Sequence, residues 1–459
     1  MNSLNNLEAL PSLHQEHVNQ LSTGFAAALL NAGYDAVVLH SGTQQSRTRF
    51  DDQFWPLRPS PYFQHWLPLA EPGCALVIAA GKKPLLLRSL ETSYWEALAP
   101  PETSHFWGAF EVREFANTAA ARAHLPTART AFIGDDASAA AALGFAGENV
   151  NPASLLASLD QLRVHKTTYE IVCLAEANRR ATLGHQLLRA MFEQMDYSEL
   201  ELHLAFLSAT EQDDTETPYK NIVALGTHAA TLHHVSYGKK AQPAQSMLLD
   251  AGATFAGYCS DITRTWVKGG GAAASAFGQL VAEHEALQQK LCARVAVGMR
   301  YEQLHDDSHT LVAQALRTVG VSSLSVEELV DSGVTRAFYP HGLGHSLGLT
   351  CHDVGCGLTT PHPGNPWLRN TSIISAGQVF TIEPGIYFIP SLLAPIRAGS
   401  KAAGIDWSLV DQLAQLGGIR IEDDVLVKAQ GIRNLTREHL PEGGGVAGES
   451  PVEDASQLA

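Results

Sequence analysis

The sequence predicts an α/β domain over residues 1–160, an α+β domain over residues 161–440, and a disordered tail over residues 441–459. Three observations predict this division. At 459 residues the chain is longer than one hydrophobic core usually organises. Its first third alternates short apolar runs with helix-like segments, the pattern of an α/β unit. Near residue 160 the character changes to long helical patterns, followed by strand-like runs that carry acids.

In chain order, residues 15–32 (QEHVNQLSTGFAAALLNA) are polar early and rich in Ala and Leu late, as in a helix packed on a sheet. Short apolar runs follow: Asp35–His40, Ala75–Ala80, Pro84–Leu87 and Ala131–Gly134. A long helix is expected just after residue 166, where Thr167 and Glu170 fit a T-x-x-E capping box. Ile171, Leu174, Ala181, Leu188 and Met191 supply its apolar face. A second long helix is expected over residues 272–297. Strand-like runs then appear as SMLLDAG, YCSDITRTWV, QVFTIEPGIYF and GGIRIEDDVLV. The last twenty residues are rich in Gly, Pro and acids and have little to bury, hence the expected tail.

Bulk composition excludes several classes of function. Lys plus Arg is 31 and Asp plus Glu is 47, for a formal charge of −16. Nucleic acid needs a basic surface, so it is not an expected partner. No segment has the apolar length to span a bilayer, and residues 1–17 lack a signal-peptide pattern. A membrane partner is not expected, and a cytoplasmic location is. The six cysteines include no C-x-x-C pair, which fits reduced thiols. Cys351 and Cys356 fall near a histidine-rich stretch, where a redox or metal pair competes with plain buried thiols. Neither G-x-G-x-x-G nor a P-loop is present.

The chemistry is signalled by acids where apolar side chains are expected. Buried strands seldom carry charge unless it is paired or binds metal. Asp250 ends MLLD, and Asp261 lies eleven residues on, across a turn-like TFAG. Glu383 lies in VFTIEPG on the face of Val379 and Thr381, at a strand end set by Pro-Gly. Glu422 in GGIRIED shares a face with Arg420. Singly, each acid has a structural reading: a turn cap, a strand end, an ion pair. Together they repel, and two divalent cations would balance four negative charges. Carboxylates with one imidazole suit Mn²⁺, Co²⁺ or Zn²⁺. The stretch Phe338–Asp353, FYPHGLGHSLGLTCHD, offers His341, His345 and His352 among three glycines.

The ordered motifs LLDAGA, SDITRT, HGLGHSLGLTCHD, TIEPGIYF and GGIRIED resemble those of the pita-bread dinuclear metallopeptidases, which include prolidase, aminopeptidase P and methionine aminopeptidase. They are most similar to bacterial prolidases, including those described as organophosphorus acid anhydrolases. HSG at 40–42 and FDDQFWPL at 50–57 extend the resemblance into the first domain. It implies a pita-bread fold for the second domain and a first domain that contributes to dimerisation and to a substrate lid. It implies metal ligation by Asp250, Asp261, His345, Glu383 and Glu422. His345 is chosen because it precedes the histidine of the HD pair by seven residues.

The resemblance also implies roles around the ligands. Glu383 accepts and returns the proton. His352, His233, His341 and Arg420 complete the catalytic surroundings; His234, beside His233 with the opposite strand parity, is expected to be structural. Arg369 takes the substrate carboxylate, Tyr219 and Tyr301 line the pocket, and Asp52 reaches the partner subunit's site. The implied activity is cleavage of Xaa-Pro dipeptides by a metal-bridging hydroxide in a Mn²⁺-loaded homodimer, with Co²⁺ or Zn²⁺ as other ions. Organophosphate triesters are an implied secondary substrate. The alternatives are aminopeptidase P activity on longer Xaa-Pro-Yaa peptides, creatinase-like hydrolysis without metal, and a non-catalytic binding module. The loop CGLTTPHPGNPWL and the acidic tail depart from the family pattern.

Overall fold

The computed structural model describes residues 7–89 and 100–446, which form two compact units. One comprises residues up to Cys173 with Phe255–Tyr258; the other comprises Leu174–Thr254 and the chain from Cys259 onward.

The first unit opens with helix α1, Leu10–Ala32, which starts on a proline and ends where Gly33 turns left-handed at φ 78°. A five-stranded mixed sheet follows: β1 Ala36–His40, β2 Ala75–Ala79, β3 Leu85–Ser89, β4 Glu111–Phe115 and β5 Thr130–Ile133, in the order β4-β3-β2-β1-β5. The four apolar runs noted in the sequence are β1, β2, β3 and β5. Strand β4 (EVREF) carries alternating charges and is largely exposed at the sheet edge, so no apolar run announces it. Val37, Leu39, Leu76 and Leu86 pack against Phe25 and Leu29 of α1 and against Trp66. Helix α2, Ala153–Leu162, adds Leu155 and Leu159 to this core.

Helix α3, Thr168–Gln194, begins with the expected reciprocal cap. The Thr167 amide donates to the Glu170 carboxylate at 2.8 Å, and the Glu170 amide donates to the Thr167 hydroxyl. Glu170 is buried, with the His65 ring 3.4 Å away.

The second unit holds α4 Glu199–Ala209, α5 Ala272–Arg294, α6 Tyr301–Thr318 and the remaining strands apart from residues Phe255–Tyr258. Strands β6 Ile222–Leu225, β7 Ser246–Asp250 and β10 Thr263–Val267 form an antiparallel set. Between β7 and β10 lies the hairpin of β8, Thr254–Phe255, and β9, Tyr258–Cys259. It turns at Ala256 and Gly257, both with positive φ. Strand β11 Val379–Ile382 pairs with β14 Asp423–Val427, which also pairs with β15 Ile432–Asn434. Strand β12 Gly385–Tyr387 pairs with β13 Gly418–Arg420. Helices α5 and α6 cover this assembly through Phe277, Leu280, Leu304 and Leu311.

Register places the acids. Asp250 lies opposite Thr263, and a single bridge joins Thr263 to Glu422, so the two strand systems meet where the carboxylates lie. Beneath this junction is a fully buried ion pair: Arg264 donates to Asp423 at 2.9 Å. Asp423 also accepts from Arg437, Asn434 and Gln288. Arg264 in turn donates to the carbonyls of Thr263, Glu422, Leu440 and Glu442.

Those contacts correct one expectation. The chain from 441 is not all tail: Gly444–Val446 form β16, which pairs in parallel with β10 at Thr265–Val267. Glycines fit because a Cβ on Gly444 would meet the Thr265 carbonyl at 2.2 Å. The rest of the predicted tail, 447–459, lies outside the described residues.

Removing one member of a buried pair leaves the other charge stranded. Asp423→Ala is therefore expected to cost about 3–5 kcal/mol of stability, read as a shift in chemical denaturation midpoint. A midpoint equal to that of the unaltered chain would contradict this role.

Candidate metal centre

A cavity of about 880 Å³ opens in the second unit and is lined by Asp250, Asp261, His345, Glu383 and Glu422 together. Each arrives from a different stretch of strand or loop. Asp250 ends β7, and Asp261 precedes β10. His345 lies on the glycine-rich segment that runs beside β11, where the Thr381 amide donates to the His345 carbonyl. Glu383 follows β11, and Glu422 lies between β13 and β14. The glycines allow this approach: a Cβ on Gly344 would fall 2.2 Å from the Thr381 carbonyl oxygen.

Hydrogen bonds fix the direction of each donor. Arg420 donates to Asp250 Oδ2 at 2.5 Å, to the Tyr387 hydroxyl at 2.8 Å and to Thr263 Oγ1 at 3.1 Å. Thr263 donates to Glu422 Oε2 at 2.6 Å, and Tyr219 donates to Asp261 Oδ1 at 2.6 Å. His345 Nδ1 lies 3.1 Å from the Ser346 carbonyl. A proton there leaves Nε2 as the lone-pair face, 3.4 Å from Asp261 Oδ2 and 3.6 Å from Glu383 Oε1. Behind the ligands, Asp424 Oδ2 accepts from the Asp261 amide and from Asn178, whose side-chain oxygen accepts from Thr436.

The electrostatics describe a site short of positive charge. Burial, followed by the charges of Asp261, Glu383 and Asp250, pushes the Glu422 carboxyl well up. Burial and the neighbouring acids raise Glu383 to about 7, against the pull of His345 and Arg420. Asp250 is raised by burial, with Asp261 adding to the effect and Arg420 opposing it. Burial also acts upward on Asp261, yet His345, Cys351 and Tyr219 hold it below its ordinary range. Burial opposes the charge on His345, but Asp261 and Glu383 lift it to about 9. Asp250 Oδ1 is buried and lacks a hydrogen-bond partner among the described residues. Four carboxylates and one imidazole with converging lone pairs, one of them unpartnered, fit divalent cations; Asp261, His345 and Glu422 already have ligand atoms within 4.8 Å of one another.

The other expected residues divide. His233, His341, His352, Arg369, Arg420 and Tyr219 line the same cavity. Burial, then the Arg420 charge, lowers His341 to about 3; its Nε2 lies 2.9 Å from the Tyr387 hydroxyl. Burial and the neighbouring His345 lower His352 to about 4. Tyr301 departs from expectation. It is fully buried on α6 and donates to the Thr381 carbonyl at 2.8 Å, so it braces the strand leading to Glu383 rather than lining the cavity. Asp52 lies exposed in a loop of the first unit, where the Gln53 amide donates to it. His233 and His234 diverge through a turn rather than along a strand. His234 faces the buried Glu199 at 3.0 Å. Glu199 also accepts from the Leu225 and Gly238 amides and faces His228, so it ties both ends of the His233 segment.

Sequence reasoning missed Glu199, Tyr387, Thr263, Asn178 and Asp424 as supports. It also missed Lys220, Trp367, Ile389 and Leu392 as lining residues. The departing loop is held by α6: Glu302 accepts from the His362 amide and Asp306 accepts from Asn365. Pro366, Trp367 and Arg369 from this loop reach the cavity.

Comparison with known proteins gives the family. The description "Metallopeptidase family M24" matches residues 172–429, and "Xaa-Pro dipeptidase, N-terminal domain" matches residues 12–161. The chain belongs to metallopeptidase family M24. Within it, the chain is 41% identical to an Xaa-Pro dipeptidase of Marinobacter nauticus, over 93% of this chain and 98% of that one. It is 37% identical to an Xaa-Pro dipeptidase of Pseudoalteromonas atlantica, over 94% of this chain and 99% of that one. Among solved structures, aminopeptidase P from E. coli aligns with a TM-score of 0.70 at 21% identity, covering 92% of this chain and 95% of that one. Aminopeptidase P II from Yersinia pestis aligns at 0.69 and 20%, covering 92% and 96%. At such identity these structures show the shared fold. The chain is a metallopeptidase with a two-domain pita-bread architecture.

The raised carboxyls give a pH test on metal-free protein. With Glu383 lifted from 4.5 to about 7, the folded state holds a proton that the unfolded chain has released between those values. Stability is therefore withdrawn as pH rises through that window. Glu383→Gln removes this loss, so its stability relative to the unaltered chain should increase from about pH 5 to about pH 8. Denaturation midpoints in excess chelator measure it, and a gap independent of pH would contradict the assignment.

Proposed function

We propose that this chain is an Xaa-Pro dipeptidase that holds two divalent ions, manganese in the cell, through Asp250, Asp261, His345, Glu383 and Glu422. The observation that carries the reading is the convergence of these five side chains on a cavity that also presents Arg369, His352 and His233. The near-full-length similarity to Xaa-Pro dipeptidases supports the substrate class.

Bound ions would lower the pKa of the attacking water and polarise the scissile carbonyl. The chain's own groups do the rest. Arg420, through Asp250 and Tyr387, holds one ligand carboxylate in place and offsets negative charge. Glu383, which faces the cavity, takes the proton of the attacking water and passes it to the leaving proline nitrogen. His352 and His233 present imidazole nitrogens to the developing oxyanion or to the substrate backbone.

An Xaa-Pro bond is a tertiary amide without an N–H, so a site selecting it requires no acceptor for that hydrogen. The proline ring finds apolar cover from Ile222, Leu232, Val235, Trp367, Ile389 and Leu392. Arg369 receives the substrate's terminal carboxylate in a forked pair. This clamp favours dipeptides over longer chains. The active form is a homodimer, with Asp52 reaching the partner's site.

Turnover of Ala-Pro and Ala-Pro-Ala with added Mn²⁺ tests the reading. Ala-Pro should be the better substrate, and Arg369→Ala should reduce its turnover more than that of the tripeptide. Preference for Ala-Pro-Ala would instead favour aminopeptidase P activity, and an equal loss on both would remove the clamp.

A further inference from the structure

Cys351 is the one cysteine that lines the cavity. Its Sγ lies 2.9 Å from Asp261 Oδ2, the oxygen that faces His345 Nε2 at 3.4 Å. Sulfur and imidazole nitrogen thus flank the same carboxylate oxygen. Cys351 also groups with His345 and His352, with ligand atoms all within 4.8 Å of one another. Tetrahedral sites with ligand bonds of about 2.0–2.3 Å place neighbouring donors roughly 3.4 Å apart, so the spread requires only small adjustment. The unpartnered, buried Asp250 Oδ1 in the same cavity points independently to a cation there. The other cysteines are buried and do not line it.

We infer that Cys351 is an additional, soft ligand for the cation held by Asp261 and His345, making this centre thiophilic. The inference rests on the metal centre described above. A thiolate added to an oxygen and imidazole set strengthens binding of Zn²⁺, Cd²⁺ and Co²⁺, while the harder Mn²⁺ is held through the carboxylates and gains little from it. On coordination the S–H bond breaks, its proton passes to buffer, and a sulfur–metal bond forms. The short contact with Asp261 is the protonated state of this arrangement: the thiol donates to the carboxylate that a cation would draw away.

The experiment titrates Cd²⁺ into the metal-free full chain, following heat by calorimetry and thiolate-to-cadmium charge-transfer absorption in the ultraviolet. The band should grow as the first ions bind and then saturate. Cys351→Val and Cys351→Ser should still take up Cd²⁺ calorimetrically but lose the band. Their Cd²⁺ affinity should weaken by on the order of tenfold, with Mn²⁺ affinity nearly unchanged. Cadmium uptake without the band in the unaltered chain, or a band that persists in both variants, would overturn the thiolate assignment and leave the metal centre standing. Absence of any cadmium uptake would overturn both.

Discussion

Carboxylate repulsion is the constraint on which the catalytic unit depends. Asp250, Asp261, Glu383 and Glu422 share one cavity, where the charges of Arg420 and His345 act against their repulsion and burial amplifies it. A fold that holds them together must fix each one from behind. Thr263, Tyr219, Arg420 and the Asp424–Asn178–Thr436 chain do this, each through a hydrogen bond to a ligand or to its backbone. Below them the Arg264–Asp423 pair locks β10 to β14 and gathers the carbonyls of Leu440 and Glu442.

The same constraint links architecture to chemistry. Acids that cannot all ionise in a closed, cation-poor site become good ligands once divalent ions arrive, because binding relieves repulsion as well as forming bonds. In the metal-free site the same repulsion and burial raise one of them, Glu383, to about 7. The supporting polar groups serve alignment, so the geometry is largely set before any ion binds.

Much of this was legible in the sequence, and for a physical reason. Charges in buried strands are rare, so MLLDA, SDITRT, VFTIEPG and GGIRIED stood out from their apolar surroundings, and the resemblance selected His345 among three histidines. What stayed hidden depends on distance or direction. Asn178 and Asp424 meet across 246 positions, and nothing local marks either one. Tyr301 was assigned to the pocket, but the face of α6 that carries it is turned to the core. Strand β4 lacks an apolar run because it is an edge, and β16 looked like tail because glycine is what its packing against β10 requires.

The central claim is that these five donors form a dinuclear centre. Calorimetric titration of the metal-free full chain with Mn²⁺, comparing it with Glu422→Gln, tests this most directly. Uptake of about two ions per chain, with at least one lost in the variant while the fold persists by circular dichroism, is the expected result. No uptake by the unaltered chain, or a stoichiometry and affinity untouched by Glu422→Gln, would contradict the account.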